Sequence, residues 1–198
     1  ENHLSHTRLN QLIKCISEQY TEKQILISTH SSFVANKLGL GKVMLLDNLR
    51  ITRFSELPED TYNFFKKVAG YDTLRMILCK KAILCEGDSD ELVIQKAYMQ
   101  LNDGRLPIED GIEVISVGVS FLRFLELADC IRTKIAVVTD NDGDMAAINK
   151  KYENYMGANQ KDYIKICVDD VVDTGTLKIG NNDYNYNTLE PKLLKANG

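Results

Sequence analysis

The sequence predicts an α/β protein whose larger part is a mostly parallel, Rossmann-like sheet with helices on both faces. Three observations predict it. From Lys81 onward, apolar runs of strand length alternate with amphipathic stretches of helix length. The strand runs are β-branched and nearly continuous, as in parallel strands covered on both faces. Two acidic clusters follow two of those runs directly, at the strand carboxyl ends where open α/β sheets bind their ligands.

The elements follow in order. The chain opens without a methionine into helical spacing (Leu4, Leu9, Leu12, Ile13, Ile16), as expected of a start inside a domain. Gln24–Ser28 reads as a buried strand ending in Thr29-His30-Ser31-Ser32. A short helix, Phe33–Leu38, stops at Gly39. Val43–Leu46 and Ile51–Phe54 read as strands joined by the turn Asp47–Arg50. After Pro58 the pattern is helical through Tyr62, Phe65, Val68 and Ala69, then Leu74, Ile77 and Leu78. A domain boundary is expected between Pro58 and Lys81. Beyond it come strand Ala82–Cys85, helix Ser89–Leu101, strand Glu113–Val117, helix Ser120–Cys130, strand Lys134–Thr139, helix Met145–Tyr155 and strand Tyr163–Val168. Leu92, Val93, Ala97 and Leu101 mark one apolar helix face, and Leu122, Leu125 and Ala128 another.

Composition narrows the function. With 198 residues, 44% apolar and 26% charged content and three prolines, the chain can bury a real core and is neither disordered nor fibrous. No apolar run approaches the roughly 20 residues needed to span a bilayer, and no secretory signal pattern opens the chain. The five cysteines (Cys15, Cys79, Cys85, Cys130, Cys167) are widely spaced, with no C-x-x-C. They fit a reducing cytoplasm better than a disulfide scaffold. His3, His6 and His30 lie far from any cysteine pair, which excludes a zinc site. Net charge is −4, and the bases are scattered, with no basic stripe.

The acids, by contrast, bunch. Glu86 ends the strand Ala82–Cys85, Gly87 turns the backbone, and Asp90 falls in the first helical turn, able to face back toward Glu86. A helix cap by Asp88, Ser89 or Asp90 is the plain alternative, but it leaves the strand-terminal Glu86 without a partner. Asp140-Asn-Asp142-Gly-Asp144 follows the most apolar strand. Its glycine and position-twelve residue (Lys151) do not match a calcium loop, and a cap accounts for one aspartate, not three. Four to six carboxylates at one sheet edge repel unless a cation sits among them. Oxygen-only donors suit Mg²⁺ or Mn²⁺, and two such ions can clamp both the attacking and leaving oxygens of a phosphoryl transfer.

At these residues the chain resembles a known family. Ile83-Leu-Cys-Glu86-Gly-Asp88-Ser-Asp90 is similar to the E-G-x-S/T-D motif of Toprim domains, and Asp140-x-Asp142 to their D-x-D motif. The wider layout resembles OLD-family (overcoming lysogenisation defect) nucleases, in which a Toprim domain follows an ABC-type ATPase. Glu1-Asn-His3-Leu4 resembles the stretch after a Walker B strand, and Ile25–Phe33 the switch-histidine strand. Ser116–Leu125 with Asn187-Thr-Leu-Glu190-Pro is similar to the nuclease subunit of Gabija anti-phage systems. The resemblance implies the C-terminal portion of an ATPase domain at 1–60, a helical linker at 61–80 and a Toprim nuclease domain at 81–198. It implies Glu86, Asp90, Asp140 and Asp142 as metal ligands, with Glu86, Asp140 and Asp142 catalytic and Asp144 and Glu190 as lesser ligand candidates. Glu190 reads equally well as a first-turn helix acid. His30 would sense nucleotide.

The activity so implied is divalent-metal-dependent hydrolysis of phage or plasmid DNA, regulated by ATP. The implied partners are further copies joined through the ATPase region and a helicase-like subunit. A haloacid-dehalogenase-type phosphohydrolase is the rival enzyme reading. It expects threonine or valine where Asp144 stands, and it leaves Glu86–Asp90 unexplained. A receiver-like module is the non-enzymatic rival, and it expects adjacent paired acids and a single acceptor. No G-x-x-x-x-G-K-S/T occurs in the chain. These 198 residues by themselves are therefore expected not to turn over ATP, and Mg²⁺-dependent ATP hydrolysis lost in His30→Ala would refute this.

Overall fold

The computed structural model describes residues 5–29, 31–47, 50–68 and 71–197. They fall into two compact units, 1–78 and 79–198.

The first unit is helical with one hairpin. Helix α1 (His6–Gln19) is capped by Ser5, whose hydroxyl accepts from the Arg8 N–H. Leu9 and Ile13 of α1 pack on Val34 and Leu38 of α2 (Ser32–Leu38). Gly39 then takes a φ of 85°, the left-handed conformation in which glycine ends helices at least cost. Strands β1 (Met44–Asp47) and β2 (Arg50–Arg53) pair antiparallel, Leu45 beside Thr52. Helices α3 (Glu59–Val68) and α4 (Tyr71–Leu78) follow. One expectation fails here: Gln24–Ser28 makes no ladder among the described residues, and Leu26 is 78% exposed. Three apolar residues in a row make a buried strand only where neighbours supply ladder partners on both sides, and none of the described residues does so. His30 and the segment Glu1–Leu4 lie outside the described residues.

The second unit is built on a four-stranded parallel sheet. Its strands are β3 (Lys81–Cys85), β4 (Ile112–Ser116), β5 (Lys134–Val138) and β6 (Ile164–Cys167), in the order β4-β3-β5-β6. Helix α5 (Asp88–Leu101) joins β3 to β4, α6 (Phe121–Ile131) joins β4 to β5, and α7 (Met145–Lys151) leads toward β6. The first crossover runs one way along the sheet, and the next two run the other way. Right-handed crossovers therefore put α5 on one face and α6 and α7 on the opposite one. Phe121 of α6 and Tyr152, just past α7, meet edge-on at 6.5 Å, as elements on one face should.

Leu84, Val137, Ile115, Leu125 and Leu127 form the fully buried centre. The continuous apolar strands thus do what their pattern predicted. The helices match less evenly. In α6 the buried face is Phe121, Phe124, Leu125, Ala128 and Ile131, while Leu122 lies at its exposed edge. In α5 no residue is fully buried, and Leu92 and Leu101 are 69% and 84% exposed, so of the apolar face read for α5 only Val93 is half-buried. Apolar spacing fixes which residues share a face, not that a neighbour lies over it. Helix α7 ends at Lys151 and not Tyr155, because the Tyr155 N–H turns back to the Tyr152 carbonyl and tightens the last turn. An antiparallel hairpin, β7 (Thr176–Ile179) with β8 (Asn182–Asn185), and helix α8 (Leu189–Asn197) complete the unit.

The two helices give a direct contrast. Leu125→Ala opens a cavity in a filled core and should cost about 2–5 kcal/mol. Leu92→Ala should stay within about 0.5 kcal/mol. Urea unfolding of both variants checks the difference.

Candidate metal centre

The strand order decides where ligands can go. The helix after β3 leaves toward β4 and the helix after β5 leaves toward β6, so a crevice opens between the carboxyl ends of these two adjacent strands. Leu84 pairs with Val137. Continuing that register, Glu86 and Asp140 leave the sheet within a residue of the same level. Both acidic clusters therefore stand at the one topological switch point of the sheet.

Glu86 is fixed by its backbone and free at its side chain. Its carbonyl accepts from the Gly118 N–H at 3.0 Å and from the Ser116 hydroxyl at 3.0 Å, which extends the β3–β4 pairing past the strand ends. Its carboxylate is exposed. Asp90, the third residue of α5, turns back, and its carboxylate accepts from the Gly87 N–H at 2.9 Å. The capping alternative thus describes Asp90 while leaving it beside Glu86.

Asp140 is half-buried, and its Oδ2 accepts from the Leu189 N–H at 3.1 Å. Its pKa is pushed up to about 6, first by burial and further by the carboxylates of Asp90, Asp142 and Glu86, with the Leu189 bond opposing. One charge field thus joins the four expected ligands. They do not form a closed cage: among the described residues, no three acidic, histidine or cysteine side chains converge closely enough to hold an ion. Backbone hydrogen bonds and mutual repulsion both hold them apart.

The loop after β5 is shaped by Asn141. This residue is 1% exposed; its Nδ2 donates to the carbonyls of Asp169 (2.8 Å) and Val171 (3.0 Å), and its Oδ1 accepts from the Gly143 N–H (2.9 Å). That side-chain turn sets Asp142 and Gly143 at φ 50° and 85°. Asp142 projects exposed at the tip. Asp144 caps α7, accepting from the Ala147 N–H at 2.9 Å. Glu190 sits exposed in the first turn of α8.

The segment Asn187-Thr-Leu-Glu190-Pro, met in the sequence only as a family likeness, has a positional role that sequence reasoning did not assign. Buried Asn187 clamps Asp173, accepting from its N–H (2.7 Å) and donating to its carbonyl (2.9 Å), and two residues later Leu189 reaches Asp140. A Cβ on Gly143 would stand 3.3 Å from the Asn187 amide, so the acidic loop lies against this clamp. Lys192 and Lys195 of α8 pair with Asp169 and Asp173. The hairpin before it was not read from the sequence, although the Gly180-Asn181 pair between short strand-like runs is a hairpin signature. Cys85, beside Glu86, is no nucleophile, since burial pushes its thiol up to about 12, with Asp90, Glu91 and Asp88 adding to the shift.

A four-stranded parallel sheet with acids at its switch point is the arrangement of a Toprim-like α/β domain. Residues 77–142 of the 198 match a family model described as "Overcoming lysogenization defect protein-like, TOPRIM domain". The matched segment holds Glu86, Asp90, Asp140 and Asp142, while Asp144 and Glu190 lie past its end. No curated protein matches the chain. The ATPase reading of the first unit finds no counterpart in these comparisons.

The donor set fits a hydrated Mg²⁺ or Mn²⁺: only oxygens are offered, and magnesium keeps several waters while one or two carboxylates hold it directly. Asp140 also sets a pH dependence. Its pKa of about 6 in the fold exceeds the roughly 3.9 of an unfolded chain. The fold therefore binds this proton more tightly, and the resulting stability is fully present below about pH 4 and lost as pH rises through about 6. Without metal, Asp140→Asn should melt above the parent protein at about pH 7.5, and the gap should close by about pH 4. Melts in EDTA across that range check it.

Proposed function

We propose that this chain is the Toprim-bearing portion of an ATP-regulated, divalent-metal-dependent DNA endonuclease that acts in anti-phage defence. The single observation that carries the reading is the half-buried Asp140, held at the switch point among three other carboxylates inside a segment matched to an OLD-like Toprim domain. A carboxylate whose ionisation is penalised by burial and like charge gains more than any surface acid from a cation at its side.

Glu86, Asp90, Asp140 and Asp142 would hold Mg²⁺ or Mn²⁺, two ions in the full reading, with Asp144 and Glu190 at the margin. The ions, when bound, supply charge neutralisation and Lewis acidity for phosphodiester hydrolysis. The chain's own part is positional. The β3–β4 extension fixes the Glu86 backbone, Leu189 fixes Asp140, and the Asn141 turn presents Asp142. In the reaction a water oxygen bonds to phosphorus, the bond to the leaving sugar oxygen breaks, and that oxygen takes a proton.

Other parts of the reading rest on resemblance alone. These are nucleotide sensing by His30, assembly of copies through an ATPase region, a helicase-like partner and the likeness to the Gabija nuclease subunit. A cytoplasmic setting suits the five free cysteines, and no helix among the described residues is long and apolar enough to cross a membrane.

Cleavage of plasmid DNA by the uninterrupted parent protein, titrated with Mg²⁺ and Mn²⁺, tests the proposal. Asp140→Ala and Asp142→Ala should each lose cleavage while DNA binding survives, and full cleavage by both variants would overturn the site. Metal saturation should also stabilise the fold, by about 2.7 kcal/mol at 100 times the dissociation constant. Asp142→Asn should raise the metal-free melting temperature and shrink the metal-induced shift.

A further inference from the structure

We propose that the Leu189 backbone N–H, held in place by Asn187, is a specificity-determining group of the acidic crevice. By engaging one oxygen of Asp140 it makes that carboxylate a one-oxygen ligand, which favours Mg²⁺ over Ca²⁺. The inference rests on the metal-centre reading above.

The first N–H groups of a helix have no partner within it. In α8 the Lys192 N–H closes the first turn on the Thr188 carbonyl at 3.2 Å, which makes Leu189 the first helical residue. The Leu189 N–H is therefore spare within the helix, and it donates to Asp140 Oδ2 at 3.1 Å, across 49 residues of chain. Oδ1 is the oxygen of Asp140 that this bond leaves open. Asp90 shows the same pattern, its Oδ2 accepting from the Gly87 N–H at 2.9 Å.

A clasp holds the Leu189 donor there. Asn187, 4% exposed, accepts from the Asp173 N–H at 2.7 Å and donates to the Asp173 carbonyl at 2.9 Å. Asn141 donates to the carbonyls of Asp169 and Val171, at 2.8 and 3.0 Å. Segment 169–173 is thus fastened to the acidic loop at one end and to the start of α8 at the other. A Cβ on Gly143 would stand 3.3 Å from the Asn187 amide, so the loop has little room to slide along the clasp.

Selectivity between the two ions follows ligand number and flexibility. Ca²⁺ takes roughly six to eight oxygens in adaptable geometry, often two from one carboxylate, whereas Mg²⁺ demands a near-ideal octahedron. A carboxylate tied at one oxygen offers the other at a fixed place, as Mg²⁺ requires, and does not readily close on Ca²⁺ with both. Groups that orient a metal ligand from behind typically change metal affinity by about 10- to 100-fold.

Mn²⁺ binding to the 198-residue chain, followed by loss of the free-ion EPR signal, and its displacement by Mg²⁺ and by Ca²⁺ test this. Leu189→Pro deletes the N–H at the first helical position, where proline is tolerated, and Leu189→Ala keeps it. The ratio of Mg²⁺ to Ca²⁺ affinity should fall about 10-fold or more in Leu189→Pro and hold its parent value in Leu189→Ala. Asn187→Ala should lower the ratio too, with the Leu189 side chain intact. An ester in place of the Thr188–Leu189 amide, which deletes the same donor and keeps the leucine, replaces the proline variant if that variant does not fold. An unchanged ratio in the donor-deleted protein or in Asn187→Ala would overturn the proposal, even with both ions bound more weakly, because a merely structural loss weakens them together. An equal fall in Leu189→Ala would overturn it as well. The two readings fail differently: no Mn²⁺ binding by the parent chain removes the metal centre, whereas Mn²⁺ binding with an unchanged ratio in the variants removes only the role of Leu189.

Discussion

The reversal of strand order between β3 and β5 is the constraint on which the rest of this unit depends. Two parallel strands lie side by side, and their helices depart to opposite faces. The sheet therefore cannot cover the gap at their carboxyl ends, and whatever residues follow these strands must share it. Here those residues are Glu86 and Asp140. Had β4 and β5 been neighbours, the two clusters would have stood a strand further apart. The mutual influence of Asp140 with Glu86, Asp90 and Asp142 follows from topology before any side chain is placed.

Within that gap, backbone amides hold the carboxylates. Gly87 donates to Asp90, Leu189 to Asp140 and Ala147 to Asp144. At Asp140 the Leu189 bond favours the charged form, yet burial and like charge still win. The local balance thus leaves a net demand for positive charge. No described lysine or arginine meets it through an ion pair to these acids, since Lys192 and Lys195 pair with Asp169 and Asp173 instead.

Much of the fold was legible because its signals are local. The strand runs Ala82–Cys85 and Lys134–Thr139 carry their own burial pattern, and the acids that follow them need only a strand end to be placed. What was not legible depends on distant partners. The spacing of Leu92, Val93 and Leu101 marks a helix face but cannot say which of its residues a neighbour covers, and in α5 Leu92 and Leu101 stay exposed while Val93 is half-buried. Ile25-Leu26-Ile27 has strand chemistry without ladder partners among the described residues. Asn141 reads as an ordinary loop residue and Asn187 only as part of a family likeness, because an asparagine's value as a clamp depends on backbone groups 28 and 14 residues away. Of the three aspartates after β5, Asp144 is the one that a cap accounts for, which leaves Asp140 and Asp142 needing another explanation.

Two features of the crevice lower the stability of the metal-free fold. Asp140 is ionised against burial and like charge, and Asp142 sits at a φ of 50° that few non-glycine residues adopt. Elsewhere the unit follows the ordinary rules, with apolar residues at its centre and a helix start capped by its own side chain. Departures from local consistency that gather at one place mark a site whose residues serve something other than folding. A divalent cation addresses the first directly, by neutralising the carboxylates. The same concentration of charge that makes this crevice costly to the fold is what suits it to hold a cation.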